Sequence, residues 1–439
     1  MSEDDAAVVA ASYKRPGAAL LSTDFAVRNT SRTGDVERHK KAAVAGSVLL
    51  GSYAGGYTEE APAMTTFAAV GRTNSIGFLR LVAASLVIVG HSIPFGGFGS
   101  SDPLMKLTHN QVATGRFPVD IFFVLSGFLI AASFERTADW RVYAWHRFLR
   151  IYPAYWVCIA VTGFVLAPIF GSGVDPTYVG FNAPLITGII DTIPGMFTNN
   201  PYPSVNGALW TLPWELRAYL LLGVLGVLGA FKRGWLVVAV FVACWAEFAV
   251  EIFSHPGLQT SVAVTSGMRL FTFFFAGTLF YIYRTSIPVK GQLFALSLAV
   301  IVAATIVGTF TPAYSGGVFY AVAPIPLAYA TLYLGMRLRI TKVNAVNDRS
   351  YGIYIYGTLM LNVSVCLGLH RVFGDGTGFW NWLTYLLLTY LATYVVASLS
   401  WFLIEKPAMS YKNRPPWRRS GKQAPEARST RDMMGDAKQ

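Results

Sequence analysis

Residues 80 to 91 read RLVAASLVIVGH, an apolar run with an ionisable side chain at each end. Between Arg80 and His91 only Ser85 carries a polar side chain. Such a run suits hydrocarbon, where charge is expensive and tends to mark function. Working outward, apolar segments near or above the ~18–20 residues needed to cross a bilayer recur along most of the chain. Of 439 residues, 54% are hydrophobic and only 13% charged, with a mean hydropathy of +0.46. Soluble domains carry roughly a quarter charged residues, so the polar surface needed for water is missing. The fold class is an all-α integral membrane protein; continuous rather than alternating apolar runs argue against a β-barrel.

Ten transmembrane helices are expected, near 76–94, 118–134, 151–170, 207–230, 234–253, 264–283, 291–310, 316–336, 350–370 and 379–403. An even number puts both termini on one side. Loops after even-numbered spans hold twelve basic residues (Arg136, Arg141, Arg147, Arg150, Lys232, Arg233, Arg284, Lys290, Arg337, Arg339, Lys342 and Arg349). The opposite loops hold three, Lys106, Arg116 and Arg371. By the positive-inside rule both termini are cytoplasmic. The same distribution assigns the net charge of +12 to membrane topology rather than to nucleic acid. Residues 1–74 read as a disordered cytoplasmic tail without a signal-peptide pattern, and 43–57, weakly apolar and Gly-rich, are not expected to span. Residues 75–407 form one membrane domain, and 408–439 a basic, disordered cytoplasmic tail. The three cysteines, Cys158, Cys244 and Cys366, lie in apolar segments, so no disulfide framework is expected.

Arg80 and His91 are eleven residues apart. That is about three turns, so they share a helix face and are offset by ~16 Å along the axis. The topology puts Arg80 in the cytoplasmic half, where it either snorkels to headgroups or serves a site, and His91 near the outer end. Asp120, Glu215, Arg217 and Arg269 fall at outer depths. A cluster of His91, Asp120, Glu215 and Arg269 is thereby allowed, in which a carboxylate would hold the imidazole as a general base. The alternatives are a helix-start role for Asp120 and pairing of Glu215 or Arg217 with other intramembrane charges. On the inner side Arg147 and Arg150, three apart in YAWHRFLRIYPAYW, join Arg80 as a candidate clamp for a phosphorylated ligand, unless they are ordinary inside charge. The outward loop 171–206 is rich in Gly, Pro, Asn and Tyr; it is either a connector or a holder of carbohydrate. Ser126 in SGFLI has no nearby base and reads as a small residue for helix packing. The six histidines show no metal-binding spacing, so no metal is expected.

In order along the chain stand Arg80-x10-His91, VDIFFVLSGFLI at 119–130, Arg147-x-x-Arg150 with RIYPAYW, LWTLPWELRAYL at 209–220, SYGIYIYG at 350–357 and SLSWFLIEKPAM at 398–409. Together these motifs resemble the membrane-bound acyltransferase 3 family over residues 76–407. The resemblance implies an O-acyltransferase of groups other than amino-acyl groups. It would carry an acyl group, foremost acetyl, from cytoplasmic acyl-CoA to a hydroxyl of an extracytoplasmic or lipid-linked glycan, a glycolipid or another acceptor. No permanently bound cofactor is expected; acyl-CoA is a co-substrate. By the same resemblance His91 is the essential histidine and Arg80 its partner. Arg147 and Arg150 bind acyl-CoA, and Asp120 and Glu215 are recurrent acids. Trp210 and Arg269 complete the candidates as substrate-binding residues. Two positions depart from the pattern: Leu216 follows Glu215 where a second acid is common, and Gly357 stands where histidine is common. The form expected is the stand-alone one, without a C-terminal esterase-like domain, in a bacterial cytoplasmic membrane. A secondary transporter, or a non-catalytic member of a polysaccharide-assembly complex, is the alternative reading.

Overall fold

A computed structural model of the chain describes residues 66–69, 74–99, 102–137, 139–254, 267–311, 317–374 and 376–417. Most of both expected tails, including 43–57, lies outside the described residues. These residues contain helices and irregular segments and no strand beyond one isolated bridge. We number the long helices α1 (Ile76–Phe95), α2 (Phe117–Thr137), α3 (Trp140–Val161), α4 (Leu212–Val227), α5 (Trp235–Ser254), α6 (Gly267–Ile282), α7 (Gly291–Thr309), α8 (Pro324–Arg337), α9 (Ser350–Cys366) and α10 (Phe379–Ser400). Six are long and apolar enough to cross a membrane: α1, α2, α3 with its continuation to Phe170, α5, α7, and α10 with its continuation to Asn413. The other four, α4, α6, α8 and α9, have 16, 16, 14 and 17 residues. At 1.5 Å per residue they cover roughly 21–26 Å, less than the ~30 Å of hydrocarbon.

Burial accounts for three of these four, α6, α8 and α9, but not for α4, which buries six of 16 residues. In α6 thirteen of 16 residues are buried and in α9 fifteen of 17, whereas α7 buries three of 19 and α5 four of 20. The inner helices therefore meet protein rather than lipid and need not match bilayer thickness. The outer ones turn apolar stripes outward, such as Leu387, Leu391, Val395 and Leu399 on α10, four residues apart. The bundle centres on α2 crossing α6. A Cβ on Gly127 would lie 1.9 Å from the Phe274 carbonyl oxygen, and one on Gly277 2.0 Å from that of Val124. Two glycines thus let the backbones touch, and Thr278 Oγ1 donates to the Gly127 carbonyl at 3.3 Å.

Within the stretch expected to be a disordered tail, Phe67 is fully buried, edge-on to Phe280 and Tyr329 at 5.6 and 5.5 Å. The backbone N–H of Ala68 donates to the Arg284 carbonyl at 2.9 Å. A single aromatic side chain with a slot to fill anchors residues 66–69. Two π-turns, Thr162–Leu166 after α3 and Trp401–Glu405 after α10, carry these helices past their regular ends.

Candidate active site

His91 lies in the last turns of α1, and its Nδ1 is 2.7 Å from the carbonyl oxygen of Val87, one turn back. A carbonyl can only accept, so Nδ1 carries the proton and Nε2 keeps its lone pair. The backbone therefore holds the tautomer, the task expected of a carboxylate. A Cβ on Gly115 would come within 2.8 Å of the imidazole, so the backbone before α2 lies against the ring. Asp102 fixes that segment: its carboxylate accepts from the N–H groups of Leu104 and Met105 and from the N–H and Oγ1 of Thr114, the last two at 2.6 and 2.7 Å. On the other side His91 meets Phe95 edge-on, and Phe95 stacks on Tyr202 at 4.6 Å, with Tyr202 46% exposed.

The expected outer cluster is only partly assembled. Asp120 and Arg269 form a fully buried ion pair between α2 and α6, with the guanidinium 4.8 Å from the ring of Tyr320. Glu215 accepts from Tyr219 Oη, one turn along α4, and from Ser126 Oγ at 3.3 Å. His91 joins neither; its charged neighbours are Arg116 and Asp102. Depth along the bundle aligned these residues, but their helices present them to different sides. Ser126, expected to pack, instead faces Glu215, and Gly127 makes the close approach. Trp210 lies partly buried against the apolar core, and Arg217 donates to the Ile186 carbonyl at 2.7 Å rather than to an acid.

At the other end the three arginines are placed, but not as a free clamp. Asp348, in the loop before α9, bonds to Arg80 and to Arg150, the latter at 2.7 Å, and Arg150 also reaches Glu405 of the second π-turn at 3.3 Å. Both guanidiniums are thus engaged by carboxyl groups of the protein itself. Burial alone would raise the Asp348 carboxyl, but Arg80 and Arg150, with Ser350 and Asn344 donating, hold it well below the ordinary range. This depressed group stabilises the fold fully above the ordinary carboxylate pKa of about 4; the stabilisation is lost only as pH falls through the lower folded value. Arg147 points elsewhere: three residues along a helix leave it ~60° away around the axis. Its Nη2 donates to Ser133 at 3.2 Å, and its guanidinium lies 5.9 and 6.0 Å from the rings of Tyr143 and Tyr219. It bonds no carboxylate among the described residues. Asp348→Ala should lower stability by roughly 2–4 kcal/mol, less than for a fully buried pair because both ends reach solvent. The thermal midpoint of purified protein in detergent measures this, and an unchanged midpoint would show the cluster to be decorative.

A small pocket is lined by Arg80 of α1, by Val119, Phe122, Phe123 and Ser126 of α2, by Thr211 and Glu215, and by Ser350, Tyr351 and Tyr354 of α9. Val119, in that lining, donates its N–H to the Arg116 carbonyl, one turn from the residue that rests on His91. In the loop 171–206 three of the four asparagines are spent on structure. Asn182 bonds the backbone of Ile190 in both directions, Asn200 reaches Asn362, and Asn206 reaches the Ile355 carbonyl and Thr358. Tyr202, stacked on Phe95, is left partly open by that loop. Among the described residues no three His, Cys, Asp or Glu side chains gather as metal ligands, and the three cysteines are free.

Residues 73–401 match the sequence pattern of the acyltransferase 3 family, described as an acyltransferase domain. The chain is 30% identical to nodulation protein 10 of Rhizobium leguminosarum bv. viciae over 368 residues, covering 78% of this chain and 95% of that protein. It is 25% identical to the O-acetyl transferase of Shigella phage Sf6 over 346 residues, covering 76% of this chain and 96% of that protein. No solved structure matches the chain at a significant level.

Proposed function

The chain belongs to the acyltransferase 3 family, and on that premise we propose that it is a multi-pass membrane O-acyltransferase that uses acyl-CoA, foremost acetyl-CoA, to acylate a carbohydrate hydroxyl. The carrying observation is His91, whose Nδ1 is tied to the Val87 carbonyl, on the same helix as Arg80, which lines a pocket in the bundle. The offset of about 16 Å along the helix between Arg80 and His91 suits the extended arm between the phosphates of CoA and its thioester. Ten passes with both termini cytoplasmic, as the loop charges favour, put the Arg80 end on the side where acyl-CoA is made. Arg147, the arginine without a carboxylate, is the natural phosphate partner there, while Arg80 and Arg150 shape the mouth through Asp348.

At the His91 end the acceptor oxygen attacks the thioester carbonyl carbon as its proton passes to Nε2 of His91. The tetrahedral intermediate collapses, the carbon–sulfur bond breaks, and the imidazolium returns its proton to the departing thiolate. Free CoA and the O-acyl ester result. Tyr202, exposed and stacked on Phe95, offers a surface on which a sugar ring can lie beside the base. The similarity to a protein named O-acetyl transferase favours acetyl as the group moved.

Membranes containing His91→Ala, supplied with labelled acetyl-CoA, should transfer acetyl roughly 10²–10⁴-fold more slowly than wild type, the range for removing a general base. A thermal midpoint within a degree or two of wild type is expected alongside. Undiminished transfer would exclude His91 as the base. Comparing ester groups on surface glycans of cells with and without the protein identifies the acceptor.

A further inference from the structure

Arg116 stands out among the cations of this protein. Gly115 before it lies against the imidazole of His91, and a Cβ on Gly90 would fall 2.2 Å from the Gly115 nitrogen. Helix α1 and the Thr114–Gly115 backbone thus touch, and Arg116 is held one residue beyond the ring. Its backbone is pinned on both sides: its N–H donates to the Ala113 carbonyl at 3.1 Å, and its carbonyl accepts from Val119 at 2.9 Å. The half-buried side chain, by contrast, makes no hydrogen bond or ion pair among the described residues. The acids near it are engaged: Asp102 caps the loop and Asp120 is paired with Arg269. Arg80, Arg150, Arg269 and Arg284 all have carboxylate partners. A cation withdrawn from water without a counter-charge is unfavourable unless an anion arrives.

We propose that Arg116 is a catalytic residue whose guanidinium stabilises the oxyanion formed when the acceptor attacks the thioester beside His91. The inference rests on the function proposed above. The charge count favours it. Thioester, hydroxyl and neutral imidazole carry no charge at the start, and the attack produces an oxyanion and an imidazolium together. Arg116 beside the imidazolium alone would put two positive charges side by side. With the oxyanion within reach of both, the same arrangement becomes favourable only as the reaction proceeds, which is the condition for accelerating it. The oxyanion's electron pair re-forms the carbonyl as the thiolate leaves, so Arg116 exchanges no proton.

The test uses membranes containing the full chain, wild type or with Arg116→Gln, Arg116→Lys or Arg116→Ala, and labelled acetyl-CoA. Arg116→Gln should lower the maximal rate roughly 10²–10³-fold, the range for losing one oxyanion donor, with KM for acetyl-CoA and the thermal midpoint unchanged. Added guanidinium ion should restore part of the rate to Arg116→Ala and none to His91→Ala. In a second arm octyl glucoside and octyl glucuronide are offered as acceptors, differing by one carboxylate. An oxyanion role predicts the same fractional loss with both. A loss confined to the glucuronide, or appearing only in the acceptor KM, would make Arg116 a reader of acidic acceptors and overturn the proposal. So would an Arg116→Gln rate equal to wild type while His91→Ala is inactive. No transfer by wild type itself would instead fault the acyltransferase reading, and the inference with it.

Discussion

Asp120→Ala is expected to destabilise the folded protein by roughly 3–5 kcal/mol, the range for stranding one member of a buried pair. Asp120 and Arg269 are both fully buried, so the substitution takes from a buried guanidinium the carboxylate it is paired with. In detergent this should appear as a thermal midpoint lowered on the order of 10 °C. Because a buried pair replaced whole by apolar residues is often neutral, Asp120→Leu with Arg269→Met should recover most of the loss. A double variant as unstable as the sum of its singles would show that the two residues are not coupled. Activity separates the structural from the chemical role: a stable double variant that still transfers acetyl would leave this pair no part in the reaction.

Gly127→Leu is expected to prevent accumulation of the folded protein. Its Cβ would sit 1.9 Å from the Phe274 carbonyl oxygen and 3.0 Å from the Thr278 nitrogen. Both are backbone atoms inside α6, so no side chain can swing aside and the two helices must part. Inserting methylenes into a packed core typically costs about 1–3 kcal/mol; parting the central crossing should exceed that range, since α6 packs on α4 and α5 as well. Even Gly127→Ala should lower the yield of monodisperse protein on size-exclusion chromatography. Gly180→Ala is the control: nothing lies within 4 Å of its Cβ, and wild-type behaviour is expected. A well-behaved Gly127→Leu protein would mean that the crossing is looser than the structure has it.

Much of this fold is legible in hydropathy alone, because lipid imposes a simple rule on whatever faces it. Helices occur in every segment expected to span, but four are shorter than a bilayer requires, and three of them, α6, α8 and α9, are mostly buried. Their sequences answer to neighbouring side chains, and hydropathy does not distinguish a lipid from a phenylalanine. The site divides along similar lines. The depth of Asp120 and Arg269 was readable from topology and they do meet. His91 lies at a similar depth and does not join them, because depth says nothing about which way a helix is turned. Its actual partner, the Val87 carbonyl, is invisible in any pattern of side chains. Asp348 and Glu405 went unseen for another reason: an acid in a loop and an acid in a π-turn have no periodicity linking them to arginines hundreds of residues away. The signal that existed for Arg116 was its rarity, one of three basic residues in the five sparsely charged loops.

The Arg80–Asp348–Arg150–Glu405 cluster also governs the order in which the protein can be completed. Arg80 leaves the ribosome 268 residues ahead of Asp348, and Arg150 precedes Glu405 by 255. At about 5–20 residues per second these intervals last on the order of tens of seconds. During them the first and third helices sit in the membrane with guanidiniums still awaiting their counter-ions. Only synthesis of the last quarter of the chain supplies both acids, so the cluster acts as a check on completeness. A nascent chain interrupted before Asp348 leaves Arg80 and Arg150 without the acid that bridges them.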